Sequence, residues 1–302
     1  MGSNHIGTVR WNVFSSEPCS LVWRVIGLSQ STYLDKILKK FRMDQSKKGF
    51  LPMLQGKTLS KTQSPATVEE REVMNKIPYA SAIGSIMYAM MCTRPDVAHA
   101  ISLTSRYQSD PGLEHWTAVK NIFKYLRRTK DMFLIYGGEE ELVAKGYVDA
   151  SFDTDPDDSK SQSGYIFVLN GGAVSWRSSK QPVVAGSSTE AEYVAASEAA
   201  QEAVWMKEFI SELGVVPSAL DPMVIYCDNN GAIANAKEPR SHKNSEHIKR
   251  RFHSIREHVK DGDITICKVH TDLNVADLLT KALPRAKHDQ HQNSMGVRFI
   301  TM

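Results

Sequence analysis

Four acidic residues stand in settings that suit chemistry. Asp149 lies in the run Gly146-Tyr147-Val148-Asp149-Ala150-Ser151, which reads as a β-strand. Asp228 closes a second such run, Ile225-Tyr226-Cys227-Asp228. Glu192 falls at the start of an Ala/Glu-rich helix expected from about Thr189 to Leu213, and Asp277 near the start of a last helix expected from about Asn274 to just before Pro284. A carboxylate that ends an apolar strand is poorly solvated unless it meets a cation, a helix N-terminus or a hydrogen-bond donor. Taken alone, each of these acids reads as a cap or a surface charge. Taken together, two strand ends and two helix starts can bring four carboxylates to one pocket. Four like charges repel, so the set needs divalent metal to be ionised. Oxygen donors without imidazole or thiolate select Mg²⁺ or Mn²⁺. Two such ions would clamp the attacking water and the leaving oxygen of a phosphodiester.

Helical spacing selects which glutamate belongs to the set. Glu192 shares its face with Ala195, Ala196, Ala199, Ala203 and Met206, the face that packs on a sheet. Glu190 shares a mixed stripe with Tyr193, Val194 and Ser197, which points it to solvent or to the helix N-terminus, where an acid is favoured.

The elements that must position these acids follow from texture. From Leu142 onward, short β-type runs cover Leu142–Phe152, Gly164–Leu169 and Ala173–Trp176, with Gly171-Gly172 as a hairpin signal between the last two. Met223–Cys227 reads as a buried strand, Asn229–Ala236 as a short helix, Asn244–Lys260 as a longer basic helix and Ile264–Val269 as a last strand. The order β-β-β-α-β-α-α-β-α predicts an α/β fold, a mixed five-stranded sheet covered by helices. Residues 28–140 read as mainly helical. Tyr33, Ile37, Leu38 and Phe41 recur at helical spacing after Ser31, a cap candidate, and a polar loop from Gln45 to Ala66 follows. Residues 1–27 show too little periodicity to place, and residues 285–302 read as a weakly ordered tail. Trp176 and Trp205 are expected in the core.

Composition narrows the classes. The 302 residues are 41% apolar without a run long enough to cross a membrane, and 37 basic against 34 acidic residues leave a net charge of +3. Nucleic-acid contact must therefore come from a local basic surface. The four cysteines lie far apart without a CxxC pair, and the N-terminus lacks an apolar signal-peptide core, so reduced thiols in an intracellular protein are expected.

At the four acids and around them the chain resembles the copia-type (Ty1/copia) retrotransposon Pol polyprotein, especially its plant lineage. The resemblance rests on Gly146–Ser151, Asp158–Tyr165, Val174–Gln181, Ser188-Thr189-Glu190-Ala191-Glu192-Tyr193, Tyr226-Cys227-Asp228-Asn229 and Ala276-Asp277-Leu278-Leu279-Thr280-Lys281. It implies an RNase H-like domain over residues 141–284. Ile77–Ser85 and Thr93-Arg94-Pro95-Asp96 resemble the end of the reverse transcriptase, which implies a thumb/connection fragment over residues 28–140. By this resemblance Asp149, Glu192, Asp228 and Asp277 hold two Mg²⁺ or Mn²⁺ ions and catalyse hydrolysis of the RNA strand of RNA–DNA hybrids, leaving a 3′-hydroxyl and a 5′-phosphate. Asp149 and Asp228 would hold or bridge both ions, Glu192 the one nearer the scissile phosphate and Asp277 the one that positions the water.

The departures are equally specific. No Tyr-x-Asp-Asp tetrad occurs, so polymerisation is not expected, and the missing polymerase portion of Pol would be the natural partner. This context suggests a truncated gene product, either an autonomous nuclease or a silent remnant that only binds nucleic acid or a partner. His270 sits where many cellular enzymes of the RNase H fold place a mobile histidine, and reads as a product-release or proton-shuttle group or as an incidental surface residue. The cluster His242, His247, His253 and His258 lacks the paired cysteines of a zinc module. A basic ridge with Lys243, Lys249, Arg250, Arg251 and Arg256 would follow phosphates, or be a solvated helix face. Lys120, Lys124, Arg127, Arg128 and Lys130 carry the same two readings. Asn229 would bind the sugar edge, or cap the helix that follows.

Overall fold

A computed structural model describes residues 3–6, 9–15, 24–137, 142–214, 216, 221–238 and 250–300. The chain divides into two compact units: residues 1–138 together with 282–302, and residues 139–281. Among the described residues, no helix is long and apolar enough to cross a membrane.

The first unit contains strands β1 (Ser3–Ile6), β2 (Val9–Ser15) and β3 (Arg24–Ser29), then helices α1 (Ser31–Lys40), α2 (Val68–Asn75), α3 (Tyr79–Thr93), α4 (Ala98–Ser105) and α5 (Leu113–Thr129), and strand β4 (Phe133–Tyr136). Its helices share one apolar core: Leu34, Ile37 and Leu38 of α1, Ile83 and Ile86 of α3, and Val119, Ile122 and Phe123 of α5 are buried together. Ala82 and Ala89 on α3 have no exposed surface, which lets neighbouring backbone approach closely. Ser31 is the first residue of α1 rather than its cap; Gln30 holds the cap position without a side-chain cap bond, and Ser29 Oγ accepts the Ser31 N–H at 3.3 Å. The basic residues of α5 are half-buried, and Arg128 lies 4.2 Å over the Phe50 ring.

Two sequence expectations are corrected here. Residues 1–27 supply strands β1, β2 and most of β3, in an antiparallel sheet of order β1-β2-β3-β4-β10, where β10 is Val297–Arg298. Four- to seven-residue strands offer too short a pattern, and β3 pairs with β4 more than a hundred residues away. Residues 285–302 are not merely a weakly ordered tail. They form helix α9 (Arg285–Ser294) and strand β10 (Val297–Arg298), which pairs with β4. The buried face of α9 is His288, His291 and Gln292, so no apolar period marked it.

A buried polar network anchors α9. Arg94 grips Asp96 through two hydrogen bonds, at 2.9 and 2.7 Å, and its remaining donors reach the carbonyl and hydroxyl of Thr129. Tyr125 donates its hydroxyl to Asp96, and Gln292 Nε2 donates to Asp96 at 3.0 Å and to the Tyr125 oxygen at 2.9 Å. Burial opposes ionisation of Asp96, but the adjacent guanidinium outweighs it and holds the carboxyl below its usual range.

The second unit begins with strands β5 (Lys145–Ser151), β6 (Gln162–Leu169) and β7 (Gly172–Lys180). Helix α6 (Ser188–Leu213), strand β8 (Met223–Cys227), helices α7 (Asn230–Lys237) and α8 (Ser254–Asp261) and strand β9 (Ile264–Lys268) follow. The sheet order is β7-β6-β5-β8-β9; β5 is antiparallel to β6 and parallel to β8, and β8 is parallel to β9. This is the expected mixed five-stranded RNase H-like sheet with flanking helices. Three details differ. Of the expected basic helix at 244–260, residues 244–249 lie outside the described ones, and α8 starts at Ser254 after a 3₁₀ turn, Arg250–His253. The expected last helix from about Asn274 is a single 3₁₀ turn, Val275–Leu279, preceded by another at Thr271–Leu273. Trp205 is 57% exposed and stacks on Phe209 at 5.4 Å, because it stands off the alanine face of α6.

Replacing Asp96 by Ala strands the buried Arg94 guanidinium without its partner. The expected cost is roughly 3–5 kcal/mol of stability, read as a lower midpoint in urea unfolding followed by circular dichroism.

Candidate active site

The site begins with strand register. Val148 of β5 sits beside Cys227 of the parallel strand β8. The residues that follow, Asp149 and Asp228, therefore leave the same edge of the sheet side by side. Asp149 is 2% exposed, and its register partner across β6 is Gly164. A side chain at Gly164 would fall 2.7 Å from Leu279 Cβ, so only glycine lets the Val275–Leu279 turn lie against the sheet. That turn carries Asp277, which has no exposed surface. Asn274 fixes its entry by donating to the Val148 carbonyl at 2.9 Å while accepting the Ala276 N–H. Ser178 Oγ fixes its exit by donating to the Leu279 carbonyl at 2.6 Å.

Glu192 arrives from α6. Ser187 caps this helix by accepting the Glu190 N–H, and Glu190 Oε2 accepts the Gly186 N–H at 2.8 Å, so Glu190 serves the helix N-terminus. Ala191, Ala195, Ala196, Ala199 and Ala203 bring the helix onto the sheet, where Glu192 is 6% exposed. Gln181 ties the helix start to β6, donating to the Ala191 carbonyl and to Ser163 Oγ.

The structure brings all four acids together. Asp149, Asp228 and Asp277 each offer an oxygen within 4.8 Å of the others, and Glu192, Cys227 and Asp228 form a second such trio, so Asp228 belongs to both. Burial and then the charges of Asp149 and Asp228 push the Glu192 carboxyl up to about 9. Burial likewise raises Asp149 to about 6, against the pull of Lys281. Burial pushes the Cys227 thiol up to about 12, so it stays neutral and is a poor ligand. Glu192 Oε2 is buried without a hydrogen-bond partner among the described residues. Clustered carboxylate oxygens, one of them orphaned, fit a hard divalent cation. No imidazole joins either trio.

Sequence reasoning passed over Thr280 and Lys281. Thr280 donates its hydroxyl to Asp149, and Lys281 Nζ lies 2.9 Å from Asp277 Oδ1 and 3.7 Å from Asp149 Oδ2. Both were legible as part of Ala276–Lys281, without any sign that they turn back onto the acids. Asn229 caps α7 by accepting the Ala232 N–H at 3.0 Å. His270 has a side chain 73% exposed, and its Nδ1 accepts the Asp272 N–H. Lys243 and Lys249 lie outside the described residues, and only the backbone of Arg250 and Arg251 is described.

No protein-family model matches the chain. It is similar to the Retrovirus-related Pol polyprotein from transposon TNT 1-94 of Nicotiana tabacum, 44% identical over 274 residues, covering 91% of this chain and 20% of that protein. It is similar also to the Retrovirus-related Pol polyprotein from transposon RE2 of Arabidopsis thaliana, 34% identical over 273 residues, 89% of this chain and 18% of that protein. The chain thus spans about a fifth of the length of these relatives. Among solved structures, LC11-RNase H1 in complex with an RNA/DNA hybrid aligns with 45% of this chain and 93% of its own, at 14% identity and a TM-score of 0.34. With its motifs in order and its similarity running over nearly its whole length, the chain belongs to the copia-type retrotransposon Pol polyproteins.

Proposed function

We propose that the second unit is a divalent-metal-dependent endoribonuclease that hydrolyses the RNA strand of RNA–DNA hybrids. The observation that carries this reading is the meeting of four carboxylates from four separate elements in two trios that share Asp228. Membership of the Pol family supports the choice of a hybrid as substrate. Asp149, Glu192, Asp228 and Asp277 are the residues that would hold Mg²⁺ or Mn²⁺. Two bound ions would supply Lewis acidity at the scissile phosphate and a lowered pKa for the attacking water.

The chain's own residues set the geometry. The parallel pairing of β5 and β8 fixes the spacing of Asp149 and Asp228. The glycine contact at Gly164 and the Asn274 anchor fix the depth of Asp277. The alanine face of α6 fixes Glu192 and keeps water from its buried side. Asn229, Lys243, Lys249, Arg250 and Arg251 are the proposed contacts to the nucleic-acid backbone, and exposed His270 the proposed auxiliary group. The polymerase portion of Pol is the proposed partner. No polymerase activity is proposed, since the Tyr-x-Asp-Asp tetrad is absent.

Two experiments test the reading. With Mg²⁺, the wild-type chain should cut the RNA strand of a labelled hybrid, and Asp149→Asn or Asp228→Asn should each lower the rate by more than about a hundredfold, since even outer groups around metal ligands cost 10–100-fold. A wild type that binds the hybrid without cutting it would mark a catalytically silent retroelement remnant. The second test is stability against pH without metal. Glu192, raised from 4.5 to about 9, contributes stability that is fully present below pH 4.5 and lost as pH rises towards 9. Asp149 adds the same sign between 3.8 and about 6. Melting temperature should therefore fall across this window, and Glu192→Gln should flatten most of the fall above pH 6, as should saturating Mg²⁺.

A further inference from the structure

We propose that Lys281 is a resident counter-ion of the carboxylate cluster, holding Asp149 and Asp277 together in the metal-free protein and competing with divalent metal for them. The proposal rests on the metal-holding assignment above and deepens it. Asp149 and Asp277 have almost no exposed surface, and they belong to the trio completed by Asp228. Two buried carboxylates so close need positive charge between them. Lys281 supplies it: its ammonium is 2.9 Å from Asp277 Oδ1 and 3.7 Å from Asp149 Oδ2. The contact follows from local backbone. Asp277 and Lys281 are four residues apart at the end of the Val275–Leu279 turn, so the lysine stem folds back over the acid that precedes it. Thr280, between them in sequence, donates to the same Asp149 oxygen that Lys281 approaches.

The lysine is also able to leave. Its side chain is 38% exposed, so the stem has a path to solvent. A lysine ammonium is a compact charge on a flexible four-carbon stem, which moves without disturbing the turn. A divalent ion on the oxygens of Asp149 and Asp277 would repel it and win by charge. The lysine thus keeps the pocket formed before metal arrives, at the cost of weaker metal binding.

The test is Mn²⁺ binding to the full chain, followed by electron paramagnetic resonance of free Mn²⁺, alongside melting in EDTA. Lys281→Met should bind Mn²⁺ about tenfold more tightly than wild type. In EDTA it should melt about 2–4 °C lower, the shift that a modest loss of stability produces in a domain of this size. Lys281→Arg, which keeps the charge, should melt in EDTA like wild type. Should Lys281→Met unfold, Lys281→Gln, which keeps a hydrogen-bond donor, takes its place with the same expected direction of Mn²⁺ affinity. Unchanged or weaker Mn²⁺ binding in the neutral variant, or unchanged melting in EDTA, would overturn the counter-ion role. Asp228→Asn separates the two levels, because Asp228 belongs to both trios yet acts on Lys281 only through its charge, the ion-pair partners of Lys281 being Asp149 and Asp277. If wild type binds Mn²⁺ and Asp228→Asn does not, the carboxylate reading stands whatever Lys281 shows. If wild type does not bind Mn²⁺ at all, both readings fall.

Discussion

Mutual repulsion among Asp149, Glu192, Asp228 and Asp277 is the constraint around which the second unit is built. Left to themselves, four carboxylates with oxygens a few ångström apart would push the strands and helix that carry them apart. The fold answers by burying three of them in a frame that does not yield. Parallel strands set the first pair, an alanine-faced helix sets the third acid, and a 3₁₀ turn pinned at both ends sets the fourth. Burial first, and the neighbouring acids after it, raise the carboxyls of Glu192 and Asp149. Lys281 and Thr280 relieve part of the repulsion from inside the chain. A site of this kind is costly to the fold in the absence of cations, and the proposed metal would offset that cost.

The first unit solves a related problem in the opposite way. Arg94 and Asp96 are as buried as the acids of the second unit's site, but they are paired, two residues apart, and the guanidinium also donates to Thr129. Two buried charge clusters in one chain thus differ in balance, and the unbalanced one is the candidate for chemistry.

Much of the second unit could be read from sequence because its signals are local. Strand β8 was bounded as Met223–Cys227 from apolar content alone, and α6 announced itself by its alanines and its closing Gly214. The placement of Glu192 against the sheet followed from helical spacing. The turn that carries Asp277 reads as a helix from sequence, because five residues are too few to tell a period of about 3.0 from one of about 3.6. The approach of Lys281 to Asp149 leaves no local signal, since Asp149 lies far upstream in the chain, whereas its i,i+4 pairing with Asp277 is legible in the spacing. The first sheet leaves little local signal because its strands are short and β4 pairs with β3 and β10, both distant in sequence. The burial of α9 is polar, so hydropathy carries no trace of it.

Residues 282–302 belong to the first unit, which makes the second unit an insertion between two paired strands, β4 and β10. On a ribosome this fixes an order of assembly. All of residues 139–281 are synthesised before Gln292 exists to reach Asp96, across a separation of 196 residues. The second unit is contiguous and is fully synthesised while the first still lacks an edge strand and one member of its buried network. The part of the chain that begins first is therefore the part completed last, and its final strand closes the first unit only after the second has been made.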